Sequence, residues 1–407
     1  MSAINTIINR AYKHFVPNAK DSAKLDSVAS NVYKYVSDSI AKLSLDAKPF
    51  FGGSYAKKTW IKGESDIDIF VVFSSEADMA KLANVVPRGF HEARGTRKYF
   101  RGRIKDINVE IVPLLKFKKI TDVVNSIDFS ILHADYVNRH LTERQRKGVV
   151  ALKQFCKAND CYGSETYIHG LSGYALELMV MKYGSVEKLF DEVEKWVPGL
   201  EILVDGADMS EKITIGSEKP PILLPDPTNP KRNICASLSY ENFSKFVFAV
   251  KAFLIMPSDR FFAVVDREKY IAERAKRRGT KLFVYRTRVI VPRDMFLSRY
   301  NRKLDRLLRD LRSARIDVYS AEAVYKEDYA VLFLEVATFP LARVLKVEGP
   351  SVWLKMSDLK NFLASRKSVY VVGDRISYDK EHGIRDFNKF ILGKLKEYIA
   401  TEAVLRN

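Results

Sequence analysis

Little in this chain could brace it covalently or seat it in a lipid bilayer. Its 407 residues include three cysteines, Cys156, Cys161 and Cys235, which form neither a disulfide framework nor a paired zinc motif. No apolar run reaches the ~18–20 residues needed to span a bilayer. The N-terminal MSAINTIINRAYKHF mixes polar and apolar residues where a secretory signal carries a continuous apolar core. Internal repeats and low-complexity tracts are missing as well, and so is any Ser-His-Asp or Cys-His arrangement for nucleophilic catalysis. These absences lead us to expect a reduced, cytoplasmic, globular protein with no membrane segment.

The chain is rich in hydrophobic mass and positive charge. Hydrophobic residues make up 47% and aromatic residues 12%, too many for a disordered chain. At roughly 100–200 residues per domain, the length calls for about two to four domains. Lysine and arginine number 68 against 50 aspartates and glutamates, a formal charge of +18. Such a balance fits a polyanionic partner, nucleic acid above all, although a merely solubilising surface would meet it equally well. The positive residues are dispersed, with denser clusters at 94–103, 274–281 and 299–315. That suits an RNA backbone better than a localisation tag.

Residues 1–45 read as helical, with Ile4, Ile7, Ile8 and Ala11, then Leu25, Val28, Val32 and Val36, at helix spacing. An apolar segment closing on Gly52 and Gly53 follows, then two strands, DIDIFVVF from Asp66 to Phe73 and INVEIVP from Ile107 to Pro113. Together they predict a small α/β unit ending near residue 139. From 141 to about 183 the pattern is helical again, with Val149, Leu152, Phe155 and Cys156 on one stripe. Residues 198–234 read as a β-excursion or long loop before a helix over 240–254. Beyond Pro257, KLFVYRTRVIV, YNRKLDRLLRDLRSA, IDVYSAEAVY and YAVLFLEVA follow the β-α-β-β order of a split or ferredoxin-like unit. The expected fold class is multidomain α+β: a head with a mixed sheet over 1–139, a helical central domain over 140–256 and an α+β region over 257–407.

Asp66-Ile67-Asp68 is the sharpest chemical feature. Residues two apart on a strand point to one face, so the two carboxylates project together and repel unless a positive group separates them. Magnesium, a hard cation that takes oxygen ligands, meets that need. On the second strand Asp106, Asn108 and Glu110 share a face, and Glu110 sits in apolar sequence where a charge needs a reason. A lone DxD is as readily a pair of strand-end aspartates facing water. The turn upstream weighs against that reading. Gly52-Gly53-Ser54 is joined to Asp66 by YAKKTWIKGES; glycines let backbone approach a phosphate, Ser54 can donate to it, and Lys57 and Lys58 add charge.

FGGSYAKKTWIKGESDIDIFVVF resembles the signature of the DNA polymerase β nucleotidyltransferase superfamily, and INVEIVP resembles its third-carboxylate strand. More narrowly, ALKQFCKANDCYGSETYIHGLSGYALELM resembles the nucleotide-binding helical segment of the archaeal, class I CCA-adding enzymes, and DPTNPKRNICASLSYENF their base-contacting segment. The likeness runs in order from about residue 45 to 255 and continues more weakly through GTKLFVYRTR and YAVLFLEVA. It implies a polymerase-β-like head, a nucleotide-binding helical domain and an RNA-binding C-terminal region. It implies that Asp66, Asp68 and Glu110 are the catalytic residues and hold Mg2+, and that Ser54 and Lys57 contact the triphosphate. His133, Lys153 and Tyr162 match further nucleotide-binding positions. Glu110 stands where aspartate is usual and Lys57 where arginine is common; the longer carboxylate still reaches a metal, and lysine keeps the charge without the fork.

The other residues keep plain structural alternatives. Lys153 borders an apolar stripe, Tyr162 and Tyr174 could be core aromatics, and His133 is equally a packing residue. Ser172 reads as a helix N-cap, which is also where a phosphate would sit. Arg232 is either a solvated loop charge or, as the resemblance implies, a base-edge reader. The implied reaction is attack of a tRNA 3′-hydroxyl on the α-phosphate of CTP or ATP, with Lys303, Arg306, Arg309 and Arg312 gripping the acceptor end. A homodimer is compatible with the sequence, which does not set the oligomeric state. Two rivals share the motifs: a poly(A) polymerase or oligoadenylate synthetase, and a catalytically silent RNA-binding protein.

Overall fold

Alternation in DIDIFVVF and INVEIVP decides how the first half of the chain is built. In the computed structural model, helices α1 (Ala3–Phe15) and α2 (Ala19–Lys42) lead into strand β1 (Ala47–Gly52), the one-turn helix α3 (Gly53–Lys57) and strand β2 (Asp66–Phe73). A short helix α4 (Glu76–Met79) precedes β3 (His91–Arg94), β4 (Lys98–Ile104) and β5 (Ile107–Leu115). The structure describes residues 3–64, 66–94, 97–117, 129–165, 168–205, 219–288, 293–314, 316–326, 329–337, 344–381, 383–384 and 386–399. The five strands form one sheet in the order β1-β2-β5-β4-β3, with β2 and β5 parallel and every other neighbouring pair antiparallel.

Odd-numbered residues of β2 and β5 cover one face of this sheet. Ile67, Ile69, Val71, Phe73, Ile107, Val109 and Ile111 bury against Leu25, Val28, Val32, Val36 and Ile40 of α2. Even-numbered residues cover the other face, where Phe70, Val112 and Leu114 form a smaller apolar patch and the carboxylates stand at its polar end. The sequence reads 1–45 as helical throughout; the structure breaks it at 16–18. Pro17 cannot donate to a helix ladder, and the Asn18 side chain accepts from the amides of Lys20 and Asp21 in a capping box that starts α2.

A second core is built by α5 (Ser130–His140), α6 (Glu143–Ala158), α7 (Gly173–Tyr183), α8 (Val186–Val193) and, after the short strands β6 (Leu200–Glu201), β7 (Ile222–Leu223), β8 (Pro225–Asp226) and β9 (Asn229–Asn233), by α9 (Tyr240–Ile255). Phe155, Phe190, Phe246 and Phe253 are fully buried there, and Ile7, Ile8 and Ala11 of α1 join them. Phe261 and Phe262 join the same core, Phe155 and Phe262 meeting edge to face at 5.5 Å. The first of two compact units accordingly runs Met1–Val265 and the second Asp266–Asn407. Residues 257–265, which the sequence reading assigns to its third region, pack with the first unit because two phenylalanines fill its core.

The second unit holds α10 (Arg267–Arg278), β10 (Lys281–Arg288), α11 (Arg293–Ser313), β11 (Val318–Tyr325) and β12 (Tyr329–Val336), with an antiparallel sheet in the order β10-β12-β11. A further antiparallel sheet, β13-β15-β14, comes from β13 (Val344–Ser351), β14 (Val369–Val372) and β15 (Arg375–Glu381), accompanied by α12 (Met356–Ala364) and α13 (Phe387–Ile399). Two arginines of the basic cluster at 274–281 are engaged inside this unit. Glu335 is fully buried, and Arg274, Arg278, Thr280 and Ser320 all bond its carboxylate at 2.7–3.2 Å. Glu322 takes Arg267 and Arg274. On α11, Leu307 and Leu311 are buried while Arg306 and Arg309 face solvent.

If Phe262 closes the first core, Phe262→Ala should cost about 3–5 kcal/mol in urea unfolding of that unit. An unchanged midpoint would place residues 257–265 outside it.

Candidate active site

Strand β1 pairs with β2 so that Gly52 lies across from Asp68, and the chain then turns into α3. At Gly53 φ is +58°, a left-handed conformation, and a β-carbon there would lie 1.7 Å from the Asp68 Oδ2. At Gly52 a β-carbon would lie 1.9 Å from the Phe70 ring. The two glycines therefore make room for side chains of the neighbouring strand, a use that the sequence motif does not reveal. Ser54 follows in the first turn of α3, half-buried.

The parallel register sets Asp68 beside Glu110 and Asp66 beside Asn108, whose amide donates to the Asp66 Oδ1 at 2.9 Å. Burial, with the charge of Asp66, pushes the Asp68 carboxyl up to about 6, against the pull of Lys57. Burial and then Asp68 push Glu110 up to about 7, with Arg101 opposing and Asp66 adding to the rise. The donor set is all carboxylate oxygen, which suits a hard divalent cation. Among the described residues no three such side chains converge as they stand; Asp66 accepts from Asn108. Asp106, on the same strand face by sequence, instead lies in the β4–β5 turn at φ +67° and pairs with Arg103 at 3.4 Å.

Behind the carboxylates, Lys57 reaches into the helical region. Its Nζ donates to Glu177 Oε2 at 2.7 Å. Lys153 Nζ donates to Glu177 Oε1 at 3.0 Å, to the Thr59 hydroxyl at 2.9 Å and to the Thr59 carbonyl at 3.0 Å. The Thr59 hydroxyl donates to Glu177 Oε1 at 2.6 Å. Burial would raise the Glu177 carboxyl, but Lys153 and Lys57 overcome it and hold the group at about 2. Tyr162 stands close by: a β-carbon on Gly173 would meet its hydroxyl at 3.1 Å and Lys153 Cε at 3.2 Å. Ser172 caps α7, its Oγ accepting from the Ala175 amide at 3.0 Å.

Lys57 also sits over the Tyr174 ring, 5.5 Å from its centroid, and Tyr174 stacks on His133 at 4.0 Å. Both aromatics serve a buried carboxylate, Asp226. His133 Nε2 lies 2.8 Å from Asp226 Oδ2, and the Tyr174 hydroxyl donates to Oδ1 at 3.3 Å. The Thr228 amide and hydroxyl donate to the same oxygen at 2.9 and 2.8 Å. Burial lowers His133 below its ordinary range, and the hydrogen bond and charge of Asp226 oppose it. Arg232 extends from β9 with Nη1 3.5 Å from Asp226 Oδ2, beyond good hydrogen-bond length, and that nitrogen is buried without an acceptor.

Lys57, Lys153, Tyr174, His133 and Arg232 thus connect, through Glu177 and Asp226, along one strip from the carboxylates of β2 and β5 to β9, and Asp106 takes no part in it. The strip is not uniformly open. Ser54, Tyr162, Ser172 and Arg232 are partly exposed, whereas Lys57, His133, Lys153 and Tyr174 are buried. Sequence reasoning missed Glu177, Thr59 and Asp226. Glu177 carried a signal, a lone charge in the apolar run ALELMVM. Asp226, inside a loop of prolines and polar residues, carried none.

Three family profiles match in order: nucleotidyltransferase domain at 34–141, tRNA nucleotidyltransferase second domain at 147–263, and CCA-adding enzyme C-terminal domain at 278–397. The CCA-adding enzyme of Methanothermobacter thermautotrophicus is 28% identical, over 92% of this chain and 85% of its own length. That of Thermococcus gammatolerans is 29% identical, over 92% and 86%. The chain belongs to the CCA-adding enzyme family. About two-thirds of the chain also shares a fold with the Cid1 poly(U) polymerase (TM-score 0.51, 13% identity), aligned over 65% of this chain and all of that one. In this member of the CCA-adding family, the first two profiles meet where Lys57, from one, and Lys153, from the other, share the buried carboxylate of Glu177.

The crowded carboxylates make a pH prediction. Folded-state values above the ordinary range mean that their contribution to stability is full below about pH 4 and is lost as pH rises through 6 to 7. Glu110→Gln should therefore stabilise the cation-free protein at pH 8 by about 1–2 kcal/mol, allowing for partial exposure. The gain should disappear below the ordinary glutamate value of 4.5. A denaturation midpoint equal to wild type at pH 8 would contradict the crowding.

Proposed function

We propose that this chain rebuilds the CCA end of tRNA, adding C, C and A from CTP and ATP to the RNA 3′ end without a nucleic-acid template. The observation that carries the reading is the strip from Asp66 and Glu110 to Arg232, in a chain of the CCA-adding family. The 3′-oxygen of the RNA bonds to the α-phosphorus of the nucleotide, the bond to pyrophosphate breaks, and the hydroxyl proton is lost. Mg2+, held by Asp66, Asp68 and Glu110, would ease that deprotonation and neutralise charge on the triphosphate.

The chain's own groups do the rest. Lys57 brings a fixed positive charge beside Asp68. Ser54, in the turn after Gly53, offers a hydroxyl and a backbone amide to phosphate oxygens. At the far end Asp226 holds one side of the Arg232 guanidinium, and the partly exposed side chain has further N–H groups to donate to the acceptor edge of a base. A cytosolic location is consistent with substrates of this kind.

The deciding experiment incubates the protein with labelled CTP or ATP and either tRNA lacking CCA or an unstructured RNA. Addition confined to the tRNA, ending after C, C and A, is the expected result. An adenosine tail on the unstructured RNA would mean a poly(A) polymerase, and no addition would mean a silent RNA-binding protein. Asp68→Ala should lower incorporation of both nucleotides by at least about a thousandfold while tRNA binding persists; near-normal addition would sink the assignment.

RNA binding by the second unit should rest on α11, because Arg306 and Arg309 face solvent there while Arg274 and Arg278 are engaged by Glu335. Replacing Arg306 and Arg309 with glutamine should flatten the slope of log tRNA affinity against log salt by about one to two units. An unchanged slope would leave α11 as a packing helix.

A further inference from the structure

Helix α3 carries both Ser54 and Lys57, yet it is too short to hold itself. The last four carbonyls of a helix lack partners inside it, and in α3, Gly53–Lys57, that is nearly the whole element. The chain closes the Ser54 and Tyr55 carbonyls itself. Lys58 turns into the left-handed region at φ +54°, so that its amide donates to both and the Thr59 amide donates to Ser54 as well. The other two carbonyls are closed from the helical region. The Asn138 side-chain amide donates to the Ala56 carbonyl at 3.1 Å, and Arg146 Nη1 donates to the Lys57 carbonyl.

Arg146, on α6, is 7% exposed, a setting in which a cation needs partners around it. Its Nη1 also donates to Asn138 Oδ1 at 3.2 Å, and its Nη2 to the Asn138 carbonyl at 3.3 Å. Its Nε lies 3.6 Å from a Glu143 oxygen. The planar fork thus closes one carbonyl at the end of α3 and another near the end of α5, where positive charge also suits the helix dipoles. Two turns further along α6, Lys153 donates to the Thr59 carbonyl. Helix α6 therefore grips the backbone on both sides of Lys58.

We propose that Arg146, with Asn138, is a positioning residue for the nucleotide site, clamping the backbone of α3 so that Ser54 and Lys57 stand at a fixed place beside Asp68. The inference rests on the reading that those two residues meet the triphosphate. The clamp acts through main chain and consumes no donor of either side chain. The triphosphate then meets donors that need no ordering on arrival. Without the fork the Lys57 and Asn138 carbonyls lose a charged donor, and a single helical turn has little of its own to stay in place.

The test compares CTP with CMP by titration calorimetry, because only CTP carries the β- and γ-phosphates, together with KM and kcat for addition and the melting temperature. Arg146→Gln should weaken CTP about five- to thirtyfold and CMP less than about twofold, and raise KM more than it lowers kcat. Arg146→Lys keeps the charge without the fork and should fall between wild type and Arg146→Gln. Asn138→Ala should show the same split between CTP and CMP more weakly. Phe262→Ala, which loosens the core without touching α3, should melt earlier and keep the wild-type ratio of CTP to CMP affinity. In a Ser54→Ala background Arg146→Gln should cost less CTP affinity than it does alone. Equal losses of CTP and CMP, a loss fully additive with Ser54→Ala, or Arg146 variants that melt earlier yet bind CTP like wild type would each overturn the clamp. Wild-type protein that binds CTP no better than CMP would remove the reading of α3 as a phosphate holder, and the clamp with it. Because binding is read separately from addition, a wild-type protein that favours CTP over CMP but extends no RNA would count against the proposed function alone.

Discussion

Strands β2 and β5 lie parallel and in register, so Asp68 meets Glu110 and Asp66 meets Asn108 across a single ladder. Much else in the first unit answers to that repulsion. The odd-numbered residues must be wholly apolar, because α2 covers their face completely. On the other face, Gly52 and Gly53 forgo side chains so that Phe70 and Asp68 can lie flat against the turn. Lys57 arrives on that turn as the nearest positive charge, and the helical region holds it there through Glu177. A local crowding of like charge has thus drawn in the glycines, the lysine and a second domain's carboxylate.

The strands, both helical stretches and the carboxylate cluster were legible because each rests on a short-range pattern. Period two in DIDIFVVF put Asp66 and Asp68 on one face, and a charge inside INVEIVP marked Glu110. What could not be read is what depends on contacts far apart in the chain. Lys153 looks like any lysine beside an apolar stripe, and only the fold shows that its three donors end on Thr59 and Glu177. His133 and Tyr174 were open between core and site; they are buried, and both reach the carboxylate of Asp226. The end of the first unit was misplaced for a related reason, since the pull of Phe261 and Phe262 into a core laid down a hundred residues earlier leaves no local trace.

Charge counted along the sequence also proves a poor guide to charge available at a surface. The 274–281 cluster and the 299–315 cluster look alike in composition. In the first, Arg274 and Arg278 close on a fully buried Glu335, where an unpaired acid would be untenable. In the second, alternate turns bury leucine and present arginine to water. Two arginines of the first run brace a sheet, whereas Arg306 and Arg309 of the second face water.

Helix α1 belongs to the helical core and not to the sheet that follows it in sequence. Ile7, Ile8 and Ala11 find their partners on α6 and at Phe262. The head is therefore an insertion in a spatial sense: the chain leaves one core after α1, completes the sheet, and returns. During synthesis α1 waits, unburied, while well over a hundred further residues emerge, and the ribosome finishes the catalytic sheet before the helical core can close over its own first helix.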